Sequence, residues 1–542
     1  MKPSISLVSS LVCCLVGMSL QSLPTSAQIT ADGTTKTTVK ADGNNFTINQ
    51  GDRIGDNLFH SFEQFSVPTE GSAAFNNASD IANIFSRVTG SNISSIDGLI
   101  SAKGAANLFL INPNGIIFGA NARLDLGGSF FASSADSLLF DNGLEFSASN
   151  PTAPPLIEVN IPVGLGFRDN PGDIVNQSAQ DSVGLQVPDG RSLLLVGGDV
   201  RLNGGRLTAP GGRISIGGLV DSGTVGLSVD GNKLNLSFPD SVALADVSLS
   251  NQARVGGSDL FFNEDGGEIK IFGNRITLDD ASFIFSYTFG ERDGKGISIR
   301  ASQLSLEDGS FIRTNVLGGS GKGGNVIIEA EELTLETGAE ISTITTFGSG
   351  NAGNLSIDAE GLSITDIGEL STTTSSSGDG GNINIRASEI KLSGTTADGG
   401  FSSGIFARVN QDAEGNGGNL TIETGRLILQ DGAKVSTEVF GEAQGGNLSV
   451  TASESIELIG RSAQGLTPSA LFARTGGQTV DAKAGDLTIA TGKLIITDGA
   501  QISASTFGLG DAGDLTVRAT NLELSGTSVN GFPRSLSDLG IL

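Results

Sequence analysis

From about residue 266 the chain repeats a unit of turn, strand, turn, strand, turn, strand, and this periodicity restricts the fold more than any other feature of the sequence. First strands start at Glu268, Gly296, Asn325, Asn354, Asn382, Asn419, Asn447, Asp486 and Asp514, at intervals of 28, 29, 29, 28, 37, 28, 39 and 28 residues. Apolar residues recur in register: Ile269/Ile271, Val326/Ile328 and Leu448/Val450 in first strands, Ile276/Leu278, Leu333/Leu335 and Ile456/Leu458 in second strands. Each pair is spaced i, i+2, which puts both side chains on one face of a strand. Six residues later comes a third apolar position (Ile284, Ile312, Ile341, Leu370, Val435 and Ile502), which opens a third strand. Three short strands in about 28 residues make one coil of a solenoid. The predicted fold is all-β: a right-handed single-stranded parallel β-helix, in which each coil buries its inner face against the coils above and below. With about 4.8 Å between coils, the nine coils extend roughly 40 Å. A propeller blade requires antiparallel hairpins, and a leucine-rich repeat a shorter period; neither fits.

Composition suits short strands joined by tight turns: 78 of the 542 residues are Gly, none is Trp, and nearly all the aromatic residues are the 28 Phe. A formal charge of −27 disfavours nucleic acid and anionic lipid as partners. Residues 1–27 read as a secretory signal peptide, with Lys2 as the positive end, an apolar stretch over 7–20, and Thr25, Ser26 and Ala27 before the cleavage point. Cys13 and Cys14 both lie in that segment, so the mature chain carries no disulfide and takes its stability from the fold itself. No later segment is apolar enough to span a membrane.

Stacking predicts two ladders. Asn325, Asn354, Asn382, Asn419 and Asn447 share one turn position, where stacked side chains can hydrogen-bond between coils. Phe289, Phe347, Phe440 and Phe507 each fall seven residues before a first strand and are expected to pack at one corner. The 37- and 39-residue coils hold matching segments, Ser403-Gly404-Ile405-Phe406-Ala407-Arg408 and Ser469-Ala470-Leu471-Phe472-Ala473-Arg474, which read as insertions on one face, a usual place for binding. A third begins at Gly531-Phe532-Pro533-Arg534, and the last coil is expected to be incomplete and open-edged.

Residues 28–265 are β-rich but irregular, against the regular repeats of 266–542. Their most specific run is Asn107-Leu108-Phe109-Leu110-Ile111-Asn112-Pro113-Asn114-Gly115-Ile116-Ile117-Phe118-Gly119, which reads as strand, turn, strand. Together with Phe59-His60-Ser61-Phe62-Glu63-Gln64-Phe65, Ile84-Phe85-Ser86-Arg87-Val88-Thr89-Gly90 and Ile96-Asp97-Gly98-Leu99-Ile100, it resembles the filamentous haemagglutinin N-terminal domain, the secretion domain of bacterial two-partner secretion exoproteins. The resemblance is dense over roughly residues 28–160. The motif Asn112, Pro113, Asn114, Gly115, Ile116 matches residue by residue. A second family motif, Asn-Pro-Asn-Leu, has no counterpart, and Ser86-Arg87-Val88-Thr89-Gly90 stands in its place, as in a divergent, cyanobacterial-type subgroup. The resemblance implies passage through the periplasm, a dedicated outer-membrane two-partner secretion transporter as partner, and transporter recognition at Asn112–Ile116. That turn also has a plain structural reading, as the shape of the first coils.

An enzyme is the alternative, because parallel β-helices also carry polysaccharide-active sites. The chain has one histidine, His60, between two Phe residues and expected to be structural, and no mature cysteine. Acid pairs such as Asp279/Asp280 and Glu331/Glu332 are present, but Asp308, Asp431 and Asp498 each precede Gly at one repeated turn position, as structure and not catalysis would require. No zinc-ligand spacing occurs, the calcium-binding nonapeptide is absent, and the turn acids read as solvated. The expectation is a non-enzymatic protein without cofactor, secreted or at the cell surface, acting as an adhesin toward a host-cell, glycan or matrix ligand, or else a purely structural surface-layer component.

Overall fold

The computed structural model describes residues 28–141, 143–151, 162–230, 233–258, 266–476, 482–507 and 509–526. The expected signal segment and the third insertion lie outside these. Among the described residues there is no α-helix, only a 3-10 turn at Gln180–Ser182, and no helix long and apolar enough to cross a membrane.

Coils stack in parallel with three faces. In the early coils the first face is built from Asn57–Phe65, Asn83–Val88, Asn107–Ile111, Phe130–Ser133, Ser192–Gly197 and Arg213–Gly218. The second comes from Ser94–Ile96, Ile116–Phe118, Ile174–Asn176, Val200–Asn203 and Val247–Ser250. The strand Glu268–Leu278 joins them: its first half pairs with Arg213–Gly218 and its second with Val247–Ser250. From there the first and second strands expected from the repeat are two arms of one bent strand. The i, i+2 burial changes phase at Asn274 and Arg275, which are exposed at the corner. The third face runs from Leu185–Gln186 through Arg206–Thr208, Arg254–Gly256, Phe283–Thr288 and Phe311–Val316 to Gln501–Thr506.

One inner column runs unbroken through the pairings: Leu58, Ile84, Leu108, Phe130, Leu193, Ile214, Ile269, Ile297, Val326, Leu355, Ile383, Leu420, Leu448, Leu487 and Leu515. Each side chain lies against its counterparts one coil away, and burying one contributes about 1.5–3 kcal/mol. The coil lengths read from the sequence are the pairing offsets observed, and among the described pairings from Glu268 onward the register shifts only at the strand Leu448–Ile459.

The matching segments of the long coils are not insertions. Gly404–Val409 and Ala470–Thr475 are third-face strands, and Ile405 and Leu471 complete the column of Ile284, Ile312, Ile341, Leu370, Val435 and Ile502. The extra residues precede them, as hairpin loops closed by the bridges Thr395–Ser402 and Arg461–Pro468. Thr467 Oγ1 donates to Gly399 O at 2.9 Å, so the two loops touch. The shared Phe-x-Arg places Arg408 over the Phe406 ring at 3.8 Å and Arg474 over Phe472 at 4.9 Å, with Glu438 between the two arginines.

The four phenylalanines do not form a corner column. Phe347 and Phe507 are 65% and 62% exposed, and Phe289 and Phe440 are half-buried. No two sit on adjacent coils, so they are about 10 Å apart or more and cannot stack.

Asn325, Asn354, Asn382, Asn419 and Asn447 do stand in line, though the bonds are not amide to amide. Each Oδ1 accepts the backbone N–H of the next residue in the line at 2.8–2.9 Å, and the line continues through Asp486 and Asp514. A glycine column precedes it for a reason of space: a Cβ on Gly381 would lie 1.7 Å from Gly353 O, and one on Gly418 1.8 Å from Gly381 O.

The ladder needs an acceptor oxygen and nothing more. Asn382→Asp is expected to leave the protection of that coil in hydrogen exchange unchanged, while Asn382→Leu should lower it by about 1 kcal/mol. Gly381→Ala should cost more, about 1–3 kcal/mol or above, because the clash is with backbone.

Candidate transporter-recognition site

The early coils are buried on both faces, which is why their strands read as apolar runs and not as alternation. Leu58, Ile84 and Leu108 point inward, while Phe59, Phe85, Phe109 and Phe131 form an outer column with ring centroids 5.1, 4.9 and 5.6 Å apart. An antiparallel sheet covers it: Ser137–Leu139, Glu145–Ser147, Gly164–Phe167, Gly223–Asp230 and Lys233–Ser237. Phe140, Phe146, Leu165 and Leu236 of that region pack on the Phe column as a second core. Nothing in the repeat announced this sheet, which lies outside the coils.

At the edge of this two-faced region sits the turn Asn112–Ile116. Asn112 is fully buried; its Nδ2 donates to Asn92 O at 3.0 Å and to Ser94 Oγ at 2.9 Å. Its Oδ1 accepts from Asn114 N at 3.0 Å, and Asn114 Nδ2 donates to Gly90 O at 2.8 Å. On the other side Gly172 N donates to Pro113 O and Ile116 N to Asp173 O, both at 3.0 Å. Gly115 has φ +107°, and a Cβ there would lie 2.6 Å from Asp173 O. The motif therefore stitches three successive coils. Pro113, Asn114 and Ile117 remain partly exposed, beside Ile93 at 49%.

The segment that replaces the second family motif holds a residue the sequence reading passed over. Arg87 is 1% exposed within an apolar strand, and a lone charge in such a run was the only signal available. Its Nε donates to Ser61 Oγ at 2.8 Å, Nη1 to Ser147 O at 2.7 Å and Nη2 to Thr34 Oγ1 at 3.0 Å, and the guanidinium lies over the Phe146 ring at 4.3 Å. Burial pushes its pKa down to about 10, against the pull of Asp32. Asp32 accepts from Ser61 Oγ at 2.6 Å, Thr34 Oγ1 at 2.8 Å and Thr89 Oγ1 at 2.9 Å. Burial raises the Asp32 pKa, but these bonds outweigh it and the net shift is downward. The network ties the first described strands, two coils and the outer sheet together. Asp32 is partly exposed and acts on the buried Arg87 guanidinium as a nearby opposite charge that partly offsets its burial.

His60, one strand position away, is 1% exposed; its Nδ1 lies 3.0 Å from Thr37 Oγ1, and burial pushes its pKa down to about 3. Among the described residues no group of three or more His, Cys, Asp or Glu side chains is placed to hold a metal ion. The turn acids have a backbone explanation: Asp308, Asp431 and Asp498 take φ of +51°, +55° and +51°, a conformation that Asp tolerates.

A two-faced first region, an Asn-Pro-Asn-Gly turn locked between coils and a long parallel stack define a parallel β-helix with a separately sealed N-terminal part. Residues 27–284 match the family model of the TPS secretion domain. The chain is also similar to the crystal structure of the HMW1 secretion domain from Haemophilus influenzae, at 17% identity and TM-score 0.44 over 92% of this chain and 98% of that one. A further likeness is to the crystal structure of a filamentous hemagglutinin secretion domain, at 15% identity and TM-score 0.25 over 66% and 99%. Among curated proteins nothing matches the chain. The match assigns residues 27–284 to the TPS secretion domain family.

The buried histidine sets a pH dependence. Its folded-state pKa lies below the ordinary 6.5, so the unfolded chain takes up the proton first. The contribution of His60 to stability should be flat above about pH 6.5 and fall by up to roughly 1.4 kcal/mol per unit as pH drops toward 3. As the chain has one histidine, NMR of histidine-labelled protein reads it directly. The ring should stay neutral through pH 4, and His60→Gln should remove its share of the acid sensitivity.

Proposed function

We propose that the chain reaches the periplasm by its signal segment, docks on an outer-membrane transporter through the surface around Asn112–Ile116, crosses unfolded and stacks coil by coil outside. In this reading residues 28–265 serve export, and residues 266–542 present a surface for adhesion to a cell, glycan or matrix. The secretion-domain match over residues 27–284 carries the proposal. Other features support it. Both cysteines lie in residues 1–27, so no disulfide obstructs threading. Each coil is completed by its neighbours alone, which lets folding propagate from one end. The inward groups of Asn112 and Asn114 are consumed in coil-to-coil bonds, which leaves Pro113, Ile117 and Ile93 for a partner to read. A non-enzymatic role is supported by a histidine buried in its neutral form and by acids placed at turns by backbone geometry.

Secretion measured with and without the partner transporter tests the route, and release should depend on it. Asn112→Ala with Asn114→Ala is expected to abolish release. Ile93→Ser, which alters the surface and not the turn, should reduce it several-fold in a protein that refolds normally. Unchanged release of both variants would count against recognition at this turn. Cell and matrix binding by the exported chain separates an adhesin from a surface scaffold, which would bind neither.

A further inference from the structure

The exposed Phe347 stands in an open depression of about 720 Å³ on the turn face of the regular coils. Its lining comes from four successive coils, with Glu291 from the first, Ser320 from the second, Thr346 and Ser349 from the third and Ser376 from the fourth. We propose that this depression binds an extended, uncharged polysaccharide chain, the sugar ring lying on Phe347 and its hydroxyls meeting the serines and Glu291. The inference rests on the presenting role proposed above and names a ligand class for it.

Three observations select this occupant. The first is chemical. A ring 65% exposed gives one apolar face, while among the described residues the Ser320 and Ser349 hydroxyls and the Glu291 carboxylate make no hydrogen bond or ion pair. A pyranose has the same composition, an apolar C–H face and a rim of hydroxyls. An apolar peptide or acyl chain would instead desolvate those polar groups unpaired, at about 1–3 kcal/mol each. The second is charge. Glu291 is the only charged lining residue, and the chain as a whole carries −27. Sulfated, sialylated or phosphorylated ligands are repelled. The third is length. Four coils span roughly 14 Å along the axis, which suits several sugar units of a chain and not a single one. Side chains of successive coils are bonded beneath the site: Thr346 Oγ1 donates to Asn315 Oδ1 at 3.0 Å, and the Thr345 and Ser376 hydroxyls lie 3.1 Å apart.

The test uses the whole exported protein with cellohexaose, laminarihexaose and maltohexaose as neutral probes and heparin as the anionic one, followed by saturation-transfer NMR. At least one neutral hexasaccharide should bind, little affected by salt. Phe347→Ala should weaken it at least tenfold with an unchanged melting temperature, because the ring is mostly outside the core, and Phe347→Tyr should retain it. No binding of any neutral probe, binding of heparin alone, or equal binding by Phe347→Ala overturns the site. Adhesion of the wild-type protein to whole cells, measured alongside, reads the presenting role separately. Wild-type protein that does not adhere overturns that role, while the hexasaccharide result alone decides this site.

Discussion

Coil-to-coil register is the constraint on which everything else in this molecule depends. A single coil has an apolar inner row and no partner for it within itself, so the row is buried only when the next coil arrives at the same phase. The inner column from Leu58 to Leu515 shows that phase kept from the secretion domain to the last described strand. Because side chains alternate with a period of two, a slip of one residue would turn an entire row to solvent. The turns therefore carry devices that count residues. Asn and Asp side chains accept the N–H of the coil that follows, and glycines occupy points where the backbones approach too closely for a Cβ.

Where a coil is longer, the register is protected and the surplus is expelled. The hairpins at 394–403 and 460–469 leave the wall, and the strands after them return to the column through Ile405 and Leu471. The solenoid thus holds its core constant and varies its surface. Such an architecture lets each coil be completed by its neighbours alone while the surface varies.

The secretion domain departs from this economy. Its coils are sealed on two sides, with a phenylalanine column outside the helix, an antiparallel sheet over it, and Arg87 buried with its hydroxyl partners at the junction. These features join segments far apart in the chain, such as Thr34 with Arg87 and Arg87 with Ser147. The Asn112–Ile116 turn does similar work on a smaller scale, since the side-chain amides of Asn112 and Asn114 bond to the neighbouring coil.

The parallel coils, their lengths and their inner residues were legible in the sequence, because a fold made of nearest-neighbour contacts writes each contact again at every repeat. Period and phase determined them locally. Strand number per coil was less legible: two arms were expected as separate strands, yet the ladder continues round a corner that only stacking makes tolerable. The exposure of Phe347, the outer sheet and the Arg87 network were decided by tertiary structure alone. Each depends on contacts that occur once, between residues distant in sequence or on non-adjacent coils, and a contact that occurs once leaves no period to read.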